Sequence, residues 1–188
     1  MKNSWIVCFC LALQLLSIPA YATPAQVLII RHAEKKADNT DLSLKGRERA
    51  AALVPYFLGT TEILRFGNPV AIFATSPSSD YPTLRTVETV QALAEKLNLA
   101  VDTQFHRKEY AQMVEMIKNN KAYDDKTVLI CWEHLLIGGI ATEFGVKDAP
   151  TEWPDAVFDR IWIIDFAKDN SPLLEDRPQR LLFGDSAE

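Results

Sequence analysis

Four short apolar runs punctuate the chain: Val27-Leu28-Ile29-Ile30, Val70-Ala71-Ile72-Phe73-Ala74, Thr127 to Trp132 and Arg160 to Phe166. They are continuous rather than alternating and rich in branched residues, the pattern of strands buried on both faces. Between them the period changes. Ser43 to Leu58 places Ala50, Leu53, Val54, Phe57 and Leu58 on one helical face and stops at Gly59. Pro82 to Leu97 sets Leu84, Val87, Val90, Ala94 and Leu97 at helical spacing. Tyr110 to Asn119 and Leu135 to Phe144 read as two shorter helices, and Gln179 to Phe183 as an edge strand. Strands alternating with helices predict one α/β domain, a three-layer sandwich with a mostly parallel central sheet. No repeat, low-complexity tract or long linker interrupts it.

The first residues differ from the rest. Lys2 precedes an apolar stretch from Trp5 to Ile18, and Pro19-Ala20-Tyr21-Ala22 supplies a breaker and an Ala-x-Ala site. That layout is a secretory signal peptide over residues 1–22, with a folded domain over 23–188 and a periplasmic or secreted destination. The apolar run is short for a membrane span, so no stable membrane insertion is expected after cleavage. Removing Lys2 with the leader takes the net charge from −5 to −6 and leaves Cys131 as the lone cysteine, unable to form an internal disulfide. A chain of 188 residues with 48% hydrophobic content sustains one core. The acidic balance argues against nucleic acid as a partner, no metal-ligand spacing is visible, and oligomeric state is not readable.

In open parallel sheets ligands gather beyond the carboxyl ends of the strands. The polar residues there are Arg31 and His32, then Ser76, then Glu133 and His134. Guanidinium groups match phosphate oxygens bidentately. A neutral imidazole is a competent nucleophile toward phosphorus, and flanking cations keep it neutral. No nearby acid is visible to balance this cluster, which points to a phosphoryl group as the ligand.

These residues carry a resemblance. Val27-Leu28-Ile29-Ile30-Arg31-His32-Ala33-Glu34 is similar to the strand plus Arg-His-Gly-Glu signature of the histidine phosphatase superfamily, also called phosphoglycerate mutase-like. Leu42-Ser43-Leu44-Lys45-Gly46-Arg47-Glu48-Arg49-Ala50 resembles its Leu-Thr-x-x-Gly-x-x-Gln-Ala segment, and Thr75-Ser76-Pro77 followed by Arg85-Thr86-Val87-Glu88-Thr89 resembles its Ser-Pro-x-x-Arg-Ala-x-x-Thr segment. Trp132-Glu133-His134 stands where the second histidine belongs, and the resemblance spans about residues 26 to 145. It implies a phosphoglycerate mutase-like fold and a phosphomonoesterase with no metal or other cofactor. His32 would become phosphorylated, Arg31, Arg85 and His134 would hold the phosphoryl oxygens, and water would release the phosphate.

Two departures stand out. Ala33 replaces the usual glycine, adding a methyl where the backbone nears the phosphate. Nine positions separate Ser76 from Arg85, more than usual, so Ser78-Ser79-Asp80-Tyr81-Pro82 looks like an inserted rim. The proton donor to the leaving group is Glu109 or Glu133, with a lean toward Glu109. Lys35 could extend the positive pocket and Ser76 could touch substrate, whereas Lys45, Arg47 and Arg49 read as a solvated helix face and His106 as remote. The substrate class that follows is an accessible extracytoplasmic phosphate ester: a sugar phosphate, an envelope glycolipid phosphate or a phosphoprotein. A non-catalytic phospho-ligand binding module and a phosphotransferase or mutase are the alternatives.

Overall fold

A computed structural model describes residues 24–38, 41–167 and 169–186. The leader and its cleavage site lie outside the described residues. Within them, no helix is long and apolar enough to cross a membrane.

The strands are β1 (Gln26–Arg31), β2 (Pro69–Ala74), β3 (Val101–Asp102), β4 (Thr127–Trp132), β5 (Arg160–Phe166) and β6 (Pro172–Pro178). They form one sheet in the order β3-β2-β4-β1-β5-β6. β1, β2, β3 and β4 run parallel, β5 is antiparallel to β1, and β6 is antiparallel to β5. The helices are α1 (Leu44–Gly59), α2 (Arg85–Leu97), α3 (Tyr110–Asn119) and α4 (His134–Glu143). The fold is the expected three-layer sandwich with a mostly parallel sheet.

Strand alternation divides the core. Leu28 and Ile30 of β1 join Leu53 and Phe57 of α1 and Val90 and Leu93 of α2 on one face. Val27 and Ile29 join Met113 and Ile117 of α3 and Ile137 and Ile140 of α4 on the other. The rings of Trp153 and Trp162, 5.3 Å apart, belong to this second core. β1 and β4 at the centre are buried throughout, so apolar content there was bound to be continuous.

Three sequence expectations change. The buried face of α2 keeps Val90 and Ala94, with Val87 and Leu97 packed against the core, but Leu84 is exposed and Arg85, Thr86, Thr89 and Leu93 are buried as well. The helix also begins at Arg85, three residues after the expected start. The last strand is β6, and residues 179–183 form none. A proline at each end of β6 suits an edge strand, where a missing N–H costs no ladder bond.

Arg49 is the third correction. It is buried rather than on a solvated face. Its Nε and Nη2 donate to Glu34 at 3.0 and 2.8 Å, and its Nη1 and Nη2 donate to Asp185 at 2.8 and 2.7 Å. Asp185 also accepts from the backbone N–H groups of Leu181 and Leu182. The end of the chain is thereby strapped to the loop after β1. Gly46 is required where α1 passes this loop, because a Cβ there would lie 2.1 Å from the Glu34 carbonyl oxygen.

Removing one partner of a buried ion pair strands the other charge and costs about 3–5 kcal/mol. Asp185→Ala is therefore expected to lower Tm by roughly 6–20 °C in a scanning calorimeter, at about 2–4 °C per kcal/mol for a domain of this size. Burial opposes the Asp185 charge, but the Arg49 hydrogen bonds prevail and hold its pKa down to about 2. Its stabilisation is thus complete above about pH 4 and lost as pH falls toward 2, a loss the variant should not show.

Candidate active site

The carboxyl ends of β1, β2 and β4 open toward one edge, where α2 and α4 begin. His32 directly follows β1, Arg85 is the first residue of α2 and His134 the first of α4. The fold therefore brings together Arg31, His32, Arg85 and His134, and adds two helix N-termini whose free N–H groups favour anions.

His32 is 2% exposed, and its Nδ1 lies 2.8 Å from the Ala33 carbonyl oxygen. A carbonyl only accepts, so Nδ1 carries the proton and the Nε2 lone pair is free. Burial pushes its pKa down to about 3, helped by the charges of Arg85 and Arg31 and the neighbouring His134, against the Ala33 hydrogen bond. His134 is pushed down to about 4, first by burial and then by Arg31. Both imidazoles are neutral at pH 7.

The methyl of Ala33 does not approach the pocket. It packs against Leu42 and Ala50. The Ala33 N–H donates to Thr89 Oγ1 at 2.9 Å, and that hydroxyl donates to the Arg85 carbonyl at 2.7 Å. Thr89 thus ties the His32 loop to the first turn of α2. Glu34 of the motif faces Arg49 instead of the pocket.

Arg31 is almost completely buried. Its Nη1 donates to the carbonyls of Pro154, Asp155 and Val157 at 3.2, 2.6 and 3.0 Å, and its Nη2 to Asp155 Oδ1 at 3.0 Å. Its guanidinium carbon lies 3.9 Å from the centroid of the Phe158 ring. The 154–158 loop is a wall of the site. Asp155 corrects the expectation that no acid balances the cations. Its carboxylate is 3.0 Å from Arg31, 3.5 Å from His134 Nε2 and 3.9 Å from Lys35 Nζ. No spacing ties Asp155 to the motif residues, so nothing in the sequence singled it out.

The candidate acids part company. The Glu109 carboxylate accepts from the His106 N–H at 2.8 Å, closing a capping box on a single 3-10 turn, Arg107–Glu109. Glu133 is buried beside the histidine, with Oε1 3.8 Å from His134 Nδ1 and Oε2 accepting from Arg107 Nη1 at 3.3 Å. Of the two, Glu133 is the carboxylate the fold places beside His134. Ser76 shares a 2.7 Å hydrogen bond with His106 on the rim. Lys35 reaches the site only through Asp155.

Several buried polar atoms at this edge have no partner: Arg31 Nε, Arg85 Nε and Nη1, His134 Nδ1 and Tyr81 Oη. Buried donors without acceptors are costly, and four of these five belong to groups expected to meet phosphoryl oxygens. Among the described residues, no cluster of His, Cys, Asp or Glu has the makings of a metal site. A separate groove of about 900 Å³, lined by residues of α3, α4 and the β5–β6 turn, contains none of these side chains.

Among solved structures, the chain is similar to a protein assigned as an alpha-ribazole-5'-P phosphatase from Escherichia coli K-12, with a TM-score of 0.55 and 13% identity, covering 83% of this chain and 96% of that one. It is also similar to the alpha-ribazole phosphatase from Shigella flexneri, with a TM-score of 0.50 and 12% identity, covering 81% and 95%. No protein-family model matches the chain, and no curated protein matches it in sequence.

The tautomer and charge of His32 are open to direct measurement. In 15N-detected NMR of the ligand-free protein, Nδ1 should be the protonated nitrogen at pH 7, and the ring should stay neutral down to about pH 3 to 4 rather than titrating near 6.5. Since the folded pocket refuses protons that the unfolded chain accepts, the two histidines should also make stability fall as pH drops below about 6.5.

Proposed function

We propose, from the phosphoglycerate mutase-like fold of the histidine phosphatase superfamily that this chain has, that it is a phosphomonoesterase working through a phosphohistidine at His32. The observation that carries this reading is the set of buried, unpartnered donors on Arg85 and Arg31, with the unpartnered Nδ1 of His134 beside them, around a neutral imidazole whose Nε2 is free. A tetrahedral anion offers enough acceptors for all of them at once.

In the first step the His32 Nε2 lone pair attacks phosphorus and the ester P–O bond breaks. Arg85 and His134 hold the oxygens on which charge spreads, with the remaining donors of Arg31 behind them. The departing alkoxide takes a proton, and we assign its delivery to Glu133, the buried carboxyl next to His134. Arg107, which contacts Glu133 at 3.3 Å, is drawn toward Asp80 by contacts at 3.2 and 3.0 Å. In the second step water attacks phosphorus, Glu133 takes its proton, the P–N bond breaks, and phosphate leaves with the imidazole restored. Asp155 holds Arg31 in place. The side chain of Asp155 is 70% exposed, so it can yield when an anion arrives.

The apolar leader and Ala-x-Ala site read from the sequence support an extracytoplasmic place of action. We assign an accessible phosphate ester, such as a sugar phosphate, a glycolipid phosphate or a phosphoprotein, as the substrate class.

Purified protein should hydrolyse p-nitrophenyl phosphate in EDTA, and His32→Ala should reduce kcat at least about 10⁴-fold, the scale for loss of a nucleophile acting with its partners. Undiminished turnover in that variant would sink the assignment. Acid quench should lose the phosphoenzyme and alkaline quench preserve it. Glu133→Gln should lower kcat/KM for esters with poor leaving groups about 10²–10⁴-fold while sparing kcat/KM for p-nitrophenyl phosphate, and should slow phosphoenzyme hydrolysis whichever ester is used; equal effects on the two kcat/KM values would remove Glu133 as the proton donor.

A further inference from the structure

Building on the phosphoryl seat proposed above, we propose that Tyr81 is an additional phosphoryl-binding residue: its hydroxyl donates a hydrogen bond to a non-bridging oxygen beside Arg85, and its ring positions that arginine.

The sequence marked the segment from Ser78 to Pro82 only as an inserted rim. The structure makes it a fixed turn. Ser78 and Tyr81 exchange backbone hydrogen bonds at 3.1 Å each, the Thr83 N–H donates to the Tyr81 carbonyl at 2.9 Å, and Ser78 Oγ donates to Asp80 at 2.6 Å. Asp80 and Pro82 are exposed, while Tyr81 between them is turned inward to 6% exposure. The insertion therefore serves to place one aromatic side chain at the edge where α2 begins.

A buried tyrosine ordinarily finds a partner for its hydroxyl, yet the only group near Tyr81 Oη among the described residues is Arg85, which can donate to it but leaves its proton without an acceptor. The charged groups that feel it are Arg31, Arg85 and Glu133, three sides of the seat. Arginine cannot accept a hydrogen bond, so even with an Arg85 N–H turned toward the phenol oxygen, the hydroxyl proton and the Nε and Nη1 of Arg85 still lack an acceptor. One ligand with several closely spaced oxygens supplies it to all three. Burial also pushes the phenol pKa up, which keeps the proton in place for donation.

The ring has a separate role. The guanidinium carbons of Arg85 and Arg107 lie 5.4 and 5.6 Å from its centroid. A cation held against a ring is positioned without using its N–H groups. Arg85 thus keeps its donors for the ligand, whereas the Arg107 donors go to Asp80 and Glu133.

The test is Tyr81→Phe, which removes one oxygen and keeps the ring. Binding of inorganic phosphate is measured by isothermal titration calorimetry beside Tm, for wild type, Tyr81→Phe and Tyr81→Leu. In Tyr81→Phe, phosphate affinity should fall about 10- to 100-fold, the range for a hydrogen bond to a charged group, and Tm should stay level or rise because an unpartnered buried hydroxyl has gone. Tyr81→Leu should lose more affinity, as Arg85 loses its support. Unchanged phosphate affinity in Tyr81→Phe overturns the proposal while leaving the seat intact. Lower affinity together with lower Tm also overturns it, since the hydroxyl would then be structural. If wild type itself fails to bind phosphate, the seat falls and the role of Tyr81 with it.

Discussion

Everything at the carboxyl edge of the sheet is arranged around a guanidinium taken out of water. Arg31 ends a strand with no exposed residue, and burying a cation is tolerable only when its hydrogen bonds are met. Three carbonyls, one carboxylate and an aromatic face, all from the 154–158 loop, serve its two terminal nitrogens and one face, leaving Nε for a ligand. That loop in turn places Phe158 6.1 Å from the His32 ring and Asp155 beside His134. The nucleophile's wall and the balance of charge around it both follow from satisfying one arginine.

A second regularity is the use of helix starts. β2 and β4 lie in the parallel part of the sheet, and each is followed by a helix whose first residue, Arg85 or His134, is a candidate ligand group. Side chain and helix terminus then favour the same charge at the same place. Thr89, one turn into α2, bonds back to the His32 loop and keeps the two halves in register.

The sequence made the central elements legible because burial on both faces leaves an unbroken apolar run. β4, β5 and α3 coincide with their expected limits. It misled where polar side chains are buried. On α2 only Leu84 was misplaced, and Arg85, Thr86 and Thr89 were not expected inside, because buried polar residues reverse ordinary amphipathicity. Arg49 was taken for a solvated residue for the same reason. The site was legible where motif residues follow strands, at Arg31, His32 and His134. Asp155 and Tyr81 escaped because they arrive on loops whose paths are set by tertiary contacts rather than by local spacing. The local cap made by the Glu109 carboxylate was not legible either, because it depends on a 3-10 turn that no periodicity announces.

The strap formed by Asp185, Arg49 and Glu34 gives the two ends of the domain different standing. Pro24 enters at the amino edge of the sheet, bridged to Asp124, far along β1 from His32. The other end is engaged beside the site, where the Ser186 N–H donates to Asp159, the neighbour of Phe158. Cargo fused ahead of Pro24 therefore hangs from the side opposite the pocket, whereas a fusion beyond Ser186 pulls on the loops that frame the nucleophile. For labelling, surface immobilisation or display, the amino end is the handle that leaves the site undisturbed.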